Sequence, residues 1–279
     1  MRVSMNKHEQ LLEKVIKLAK DNIHIRVLEM NGSRVNPNIE PDDYQDFDMV
    51  FYVDNYPSFI QDESWLNVFG KPLLTQTTKD QRDGDANQSF IYMMQFENGT
   101  RLDLSICDVK ELSMNQRDSL SVILIDKDNY QLEDYQNESS YYIQAITEKE
   151  FKYSCNEFYW LIPYVAKGIK RKQYFYAHKH LELIRHELEL MLDWWIGDHQ
   201  GFHQSVGKAK SRYKDLLDKD IYQQYIRTYT NLEEKNLWQA LEQALNLYHY
   251  LALYLSEKYK YPYQKDFKDK VFKFIKNNY

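Results

Sequence analysis

A chain of 279 residues has room for two domains of ordinary size, each with its own core. Its 43% hydrophobic and 28% charged residues exclude a disordered or collagen-like polymer, and only 8 glycines and 6 prolines favour helix. The net charge of −6 hides an asymmetry: residues 1–150 carry 15 Lys/Arg against 27 Asp/Glu, or −12, and residues 151–279 carry 21 against 15, or +6.

The N-terminal residues interleave Lys7, Glu9, Glu13, Lys14, Lys17 and Lys20 with apolar positions, so no signal peptide is read there. Leu11, Leu12, Val15, Ile16, Leu18 and Ala19 recur at helical spacing and predict an amphipathic helix over 6–20. A strand over Ile23–Met30 then breaks at Asn31-Gly32-Ser33, and Asp46–Val53 is the most strongly β-like run of this half. Ser58–Phe69 reads as short helical structure, Leu73–Thr77 as a strand, and Thr78–Asn87 as a polar, mobile loop. Ser89–Phe96 and Thr100–Ile106 flank Glu97-Asn98-Gly99, a hairpin signal, and Ser121–Ile125 is one more strand.

From Asp126 to Ser140 the composition turns polar and irregular, as in a linker, and the domains are drawn as 1–135 and 136–279. Beyond it, helices are predicted near 148–168, 172–196, 208–226, 235–258 and 265–277. The expected fold class is therefore α+β, an acidic α+β half followed by a helical half. Cys107 and Cys155 are far apart and show no metal-ligand spacing, which points to the cytoplasm rather than to a disulfide framework. No run approaches membrane-spanning length, so no membrane partner is expected. The basic run Lys167-Gly168-Ile169-Lys170-Arg171-Lys172 is read as an interhelical turn rather than a nucleic-acid patch, given the acidity of the chain.

Chemistry enters with the carboxylates. Residues two apart on a strand share a face, so Asp46 and Asp48 stand side by side while Phe47 and Met49 turn to the core. Two carboxylates that close repel, and a divalent cation relieves the repulsion. Asp-x-Asp by itself is common in so acidic a chain; its context is what informs. Upstream, Gly32-Ser33-Arg34 follows a strand end, where glycine admits close backbone approach to a phosphate, serine donates a hydroxyl and arginine offers a fork of donors. A third carboxylate, Asp103, lies on the strand after the hairpin, opposite in direction to Leu102 and Leu104. Three aspartates on adjacent strands suit two magnesium ions, roughly 3.5–4 Å apart, and phosphoryl or nucleotidyl transfer.

The run Asn31-Gly32-Ser33-Arg34 with Asp46-Phe47-Asp48-Met49-Val50 resembles the signature of the DNA polymerase beta-like nucleotidyltransferases, and more narrowly the bacterial aminoglycoside 6-adenylyltransferases. The likeness continues through Trp65–Gly70, Leu102-Asp103-Leu104, Leu124–Asp128, Cys155–Phe158 with Trp160, Pro163–Gly168, Ile184–Leu188 and Ser205-Val206-Gly207-Lys208. It implies an N-terminal nucleotidyltransferase domain with a mixed β-sheet and a C-terminal helical, substrate-binding domain. It further implies metal ligation by Asp46 and Asp48, with Asp103 completing the acidic catalytic set, and triphosphate contacts from Gly32 and Ser33; of the three carboxylates, Asp103 is chosen as the general base. Arg34 and Lys208 are added as phosphate ligands, and Glu157 and Glu187 as carboxylates for substrate ammonium or guanidinium groups.

The expected reaction is transfer of AMP from ATP to a hydroxyl of streptomycin or a related aminoglycoside, releasing pyrophosphate, with magnesium as cofactor. The expected partners are small molecules, with no nucleic acid, and the chain is expected as a monomer or homodimer. Three alternatives stay open: another hydroxyl acceptor such as a lincosamide, a metal-dependent glycosyltransferase, which also uses Asp-x-Asp, and a nucleotide-binding module without turnover.

Overall fold

The computed structural model describes residues 5–80, 90–113 and 117–279. The chain divides into two compact units, 1–140 and 141–279. The first opens with helix α1 (Lys7–Asp21), started by a reciprocal cap: the Asn6 side chain accepts from the amides of His8 and Glu9, and the Glu9 carboxylate accepts from the Asn6 amide at 2.8 Å. Leu11, Val15 and Ala19, four residues apart, are its buried positions.

Seven strands follow among the described residues: β1 (Ile25–Asn31), β2 (Phe47–Val53), β3 (Leu74–Thr77), β4 (Phe90–Gln95), β5 (Arg101–Asp108), β6 (Leu120–Asp126) and β7 (Tyr135–Gln136). They form one sheet in the order β3-β4-β5-β2-β1-β6-β7. Only β2 and β5 pair parallel, so the sheet is mixed. The Asn98-Gly99 turn joins β4 to β5 as a hairpin, with Gly99 at φ +83.

Alternation divides the sheet into two faces. Ile25, Leu28, Phe47, Met49, Phe51, Leu102, Leu104 and Ile106 turn toward α1, the short helix α2 (Tyr56–Gln61) and the 3-10 segment Glu63–Phe69, whose Trp65 ring packs against Phe51, Phe59 and Tyr92. The other face carries only a small apolar cluster around Val27, Val50 and Tyr52. Asp48 and Asp103 lie on that sparsely covered face, because each is one residue out of phase with its core-facing neighbours.

The second unit is helical: α3 (Glu148–Lys170), α4 (Tyr174–Gln200), α5 (Tyr213–Leu216), α6 (Lys219–Ile226), α7 (Glu234–Tyr259) and α8 (Phe267–Asn278). α3 begins at a Thr147–Glu150 capping box. Its core joins α3, α4 and α7, with Phe158 stacked on Tyr248 at 3.6 Å between centroids. The basic run ends α3 and forms the turn into α4, with Lys172 left-handed at φ 58.

Three sequence readings need correction. Residues 208–226 are not one helix: Gly207, Ala209 and Lys210 have positive φ, Leu217 is extended, and the segment breaks into a 3-10 turn, α5 and α6. The span 126–140 is not a slack connection. Its Glu138 is buried and accepts from Asn36 and Asn38, and Tyr135–Gln136 adds a sheet strand. Residues 78–80 form a 3-10 turn, whereas the rest of the loop expected there, 81–87, lies outside the described residues.

Candidate active site

The end of β1, the start of β2 and the start of β5 meet at one edge of the open face. Asp48 is the register partner of Asn31 on β1 and of Asp103 on β5. Neighbouring strands lie about 4.8 Å apart, so the Asp48 and Asp103 side chains rise next to each other. Asp46 stands two residues before Asp48, just outside the strand.

Gly32 makes the closest contact. It has φ +78, and a Cβ placed on it would lie 2.4 Å from the Asp48 Oδ2. Only a glycine lets this backbone rest against that carboxylate. Gly32 opens a 3-10 turn, Gly32–Val35, in which the Ser33 carbonyl accepts from the Asn36 amide and the Gln45 side chain. The Ser33 hydroxyl has no hydrogen-bond partner among the described residues, so it is available as a donor.

Arg34 is engaged differently from expectation. Its Nε donates to the Asp46 carbonyl at 2.9 Å and its Nη2 to the Gln45 carbonyl at 2.6 Å, and its guanidinium lies 3.8 Å over the Phe47 ring. The same Nη2 sits 2.9 Å from the His8 Nδ1. Burial and the Arg34 charge both lower the His8 pKa, which suits a neutral ring accepting at Nδ1. Arg34 thus pins the approach to β2 against the Gly32 turn rather than presenting a bare fork to phosphate.

Arg101 is the cation that sequence reasoning missed. It shares a strand face with Asp103, two residues on, and grips it bidentately, Nε to Oδ1 at 2.8 Å and Nη2 to Oδ2 at 2.7 Å. Its Nε is also 3.6 Å from the Asp46 Oδ2. The Asp103 hydrogen bond raises the Arg101 pKa further above its ordinary value. The signal was present in Arg101-Leu102-Asp103, a charged pair at period two.

Among the described residues no three His, Cys, Asp or Glu side chains are grouped so that they could hold a metal ion. Donor chemistry still fits a hard divalent ion, since Asp46, Asp48 and Asp103 offer oxygen alone. What departs from a cage is the hold of Arg101 on Asp103.

A buried network adjoins the site on the same face of the sheet. Glu29 of β1 is 1% exposed and pairs with Arg117, Nε to Oε2 at 2.8 Å. Arg117 also donates to the Ser121 hydroxyl and the Glu133 carbonyl. With its amide oriented to satisfy both neighbours, Asn31 donates to the Glu29 Oε1 at 2.7 Å and to the Met30 carbonyl. Burial raises the Glu29 pKa, while Arg117 opposes that shift. The chain of contacts ends at Asn31, beside Gly32 and opposite Asp48. A lone glutamate inside an apolar strand was the available clue, because a carboxylate buried there requires a partner.

The other three expected residues belong to the helical unit. Lys208 is exposed on the 3-10 turn Lys208–Lys210. Glu157 on α3 is half-buried. Glu187 on α4 is not a surface carboxylate: it is 6% exposed, its Oε2 lacks a hydrogen-bond partner, and burial raises its pKa against a Ser154 hydrogen bond. Cys107 and Cys155 are free thiols, each pushed up to about 12 by burial, which disfavours the thiolate.

Residues 5–278 match the family model described as streptomycin adenylyltransferase. The chain is 32% identical over 263 residues to an aminoglycoside 6-adenylyltransferase of Campylobacter jejuni, covering 93% of this chain and 91% of that protein. It is 32% identical over 285 aligned positions to one of Staphylococcus aureus, and 30% identical over 285 to one of Bacillus subtilis, each covering 99% of both chains.

Proposed function

The chain belongs to the streptomycin adenylyltransferase family, and from that membership we propose that it transfers AMP from ATP to a hydroxyl of an aminoglycoside, streptomycin foremost. The observation that carries the reading is the juxtaposition of Asp48 with Asp103 across β2 and β5, with the Gly32 backbone resting on the Asp48 carboxylate. The names of the relatives, aminoglycoside 6-adenylyltransferases, supply the acceptor class.

In this reading the acceptor oxygen attacks the α-phosphorus of ATP, the bond from that phosphorus to the bridging oxygen breaks, and pyrophosphate leaves. Asp103 takes the hydroxyl proton once Arg101 lets go of one of its oxygens. Gly32 and Ser33 receive the triphosphate on backbone amide and hydroxyl, and Arg34 keeps that turn in register with β2. Asp46, Asp48 and Asp103 would hold magnesium, which when bound offsets the charge of the triphosphate and of the leaving pyrophosphate. Glu157, half-buried on α3, remains a carboxylate of the helical unit suited to a cationic acceptor. Two free thiols, Cys155 buried and Cys107 half-buried, accord with a cytoplasmic setting, and no helix among the described residues is long and apolar enough to cross a membrane.

The test is incubation with α-labelled ATP, magnesium and a panel of aminoglycosides and lincosamides. Adenylated aminoglycoside and pyrophosphate are expected, and no adenylated product from any acceptor would sink the reading. The Asp48→Asn variant is expected to lose at least about 10³-fold in kcat while keeping the wild-type circular dichroism spectrum.

A further inference from the structure

Arg34 is a half-buried cation that pairs with no carboxylate among the described residues. Neutral acceptors hold it instead. Its Nη2 carries two protons: one goes to the Gln45 carbonyl at 2.6 Å, and the other faces the His8 Nδ1 at 2.9 Å. A guanidinium can only donate, so this contact requires an unprotonated Nδ1 and a neutral His8 ring with its proton on Nε2.

The far side of the ring agrees. The His8 side chain is 12% exposed in the first turn of α1, and its Nε2 is buried without a hydrogen bond. The Asp43 Oδ1 stands 3.8 Å from that nitrogen, beyond hydrogen-bond reach. The charged groups facing the ring are Arg34 on the Gly32–Val35 turn, Lys7 beside it on α1, and the exposed Asp43 on the connection to β2. A proton on Nδ1 would set two cations 2.9 Å apart and take away the acceptor. Asp43 would then draw the imidazolium to its own side.

Arg34 passes the effect on. It holds the carbonyls of Gln45 and Asp46, the two residues before β2, and the Gln45 side chain in turn donates to the Ser33 carbonyl at 3.2 Å. We propose that His8 is a positioning residue for the transfer reaction: its neutral ring fixes Arg34 on the Gln45 and Asp46 carbonyls, and so sets the Asp46 and Asp48 carboxylates against the Gly32 turn. When His8 gains a proton the clamp loosens, and transfer slows as pH falls. The inference rests on the transferase reading and adds to it a residue outside the carboxylate set.

Transfer from α-labelled ATP to streptomycin, measured from pH 5 to 8 with saturating substrates and magnesium, tests it on full-length wild type, His8→Gln and His8→Leu. Wild-type kcat is expected to fall on the acid side with a midpoint below about 6.5, the ordinary imidazole value. The amide oxygen in His8→Gln still accepts from Arg34 and does not titrate, so this variant is expected to keep the wild-type kcat at pH 8 and to lose the acid limb. In His8→Leu nothing accepts, and kcat at pH 8 is expected to drop about 10- to 100-fold with an unchanged circular dichroism spectrum. An acid limb that is absent from wild type or persists in His8→Gln overturns the inference alone, as does wild-type kcat in His8→Leu; if His8→Leu does not fold, the His8→Gln profile decides. Nitrogen-15 NMR of the His8 ring reads the hydrogen bond without turnover. An Nε2 proton is expected at pH 8, with a titration midpoint that rises in Arg34→Gln, and an Nδ1 proton at that pH overturns the inference. A wild type that adenylates no acceptor at any pH overturns the transferase reading and this inference with it.

Discussion

A methyl group at residue 32 has nowhere to go. It would stand 2.4 Å from the Asp48 carboxylate, on a backbone already at φ +78. Gly32→Ala is therefore expected to cost about 1–3 kcal/mol in urea unfolding and to reduce transfer activity more than stability explains, because relief of the clash moves Asp48. Arg101 poses the complementary test. As the cation between Asp103 and Asp46, it holds the carboxylates together in the absence of metal. The Arg101→Gln variant should lose under about 1 kcal/mol of stability in EDTA, and magnesium should raise its melting temperature more than that of wild type. Equal responses to magnesium in the two proteins would show that Arg101 and the metal do not compete.

Among the elements, α4 carries the clearest pH signature. Glu187 is buried there, and desolvation raises its pKa in the fold above the ordinary carboxyl value. Between those two values the folded state holds a proton that the unfolded chain releases. This group therefore favours folding most at pH below the ordinary carboxyl range, and its contribution declines as pH rises through the shifted value. Glu187→Gln is expected to flatten that dependence and to be more stable than wild type at neutral pH, as urea midpoints across pH 4–8 would show. A variant with the wild-type slope would mean that another group controls it. Strand β1 solves its own buried carboxylate differently. Glu29 gains Arg117 and Asn31 as partners, so its burial ties the sheet to the turn that bears Gly32. Periodicity foretold β1 and α4 as elements, but which of their polar residues found partners depended on strands and helices distant in sequence.

At the scale of the molecule, each unit has its own core: residues 11–125 supply one, and residues 143–275 the other. A polypeptide spanning 141–279 is expected to fold alone, with a helical far-UV spectrum and a cooperative melt, since α3, α4 and α7 bury their apolar faces on one another. A non-cooperative melt would show that its core needs the first unit.

The α+β class, the helical second half, the Gly32 turn and the carboxylates Asp46, Asp48 and Asp103 were all legible from residue order. Period-two and period-3.6 patterns are local, and glycine at a strand end signals its backbone by its chemistry. Tertiary structure alone decided that Asp48 lies beside Asp103, that Arg101 takes hold of Asp103, that Arg34 serves the backbone, and that Glu187 is interior. It also broke the helix expected over 208–226, where left-handed Ala209 and Lys210 are held beside the Lys210–Asp193 pair. The physical reason is common to all of these. Hydrophobic periodicity determines which side of an element faces the core, but strand register and the competition of charged groups for partners arise only when segments far apart in the chain come together.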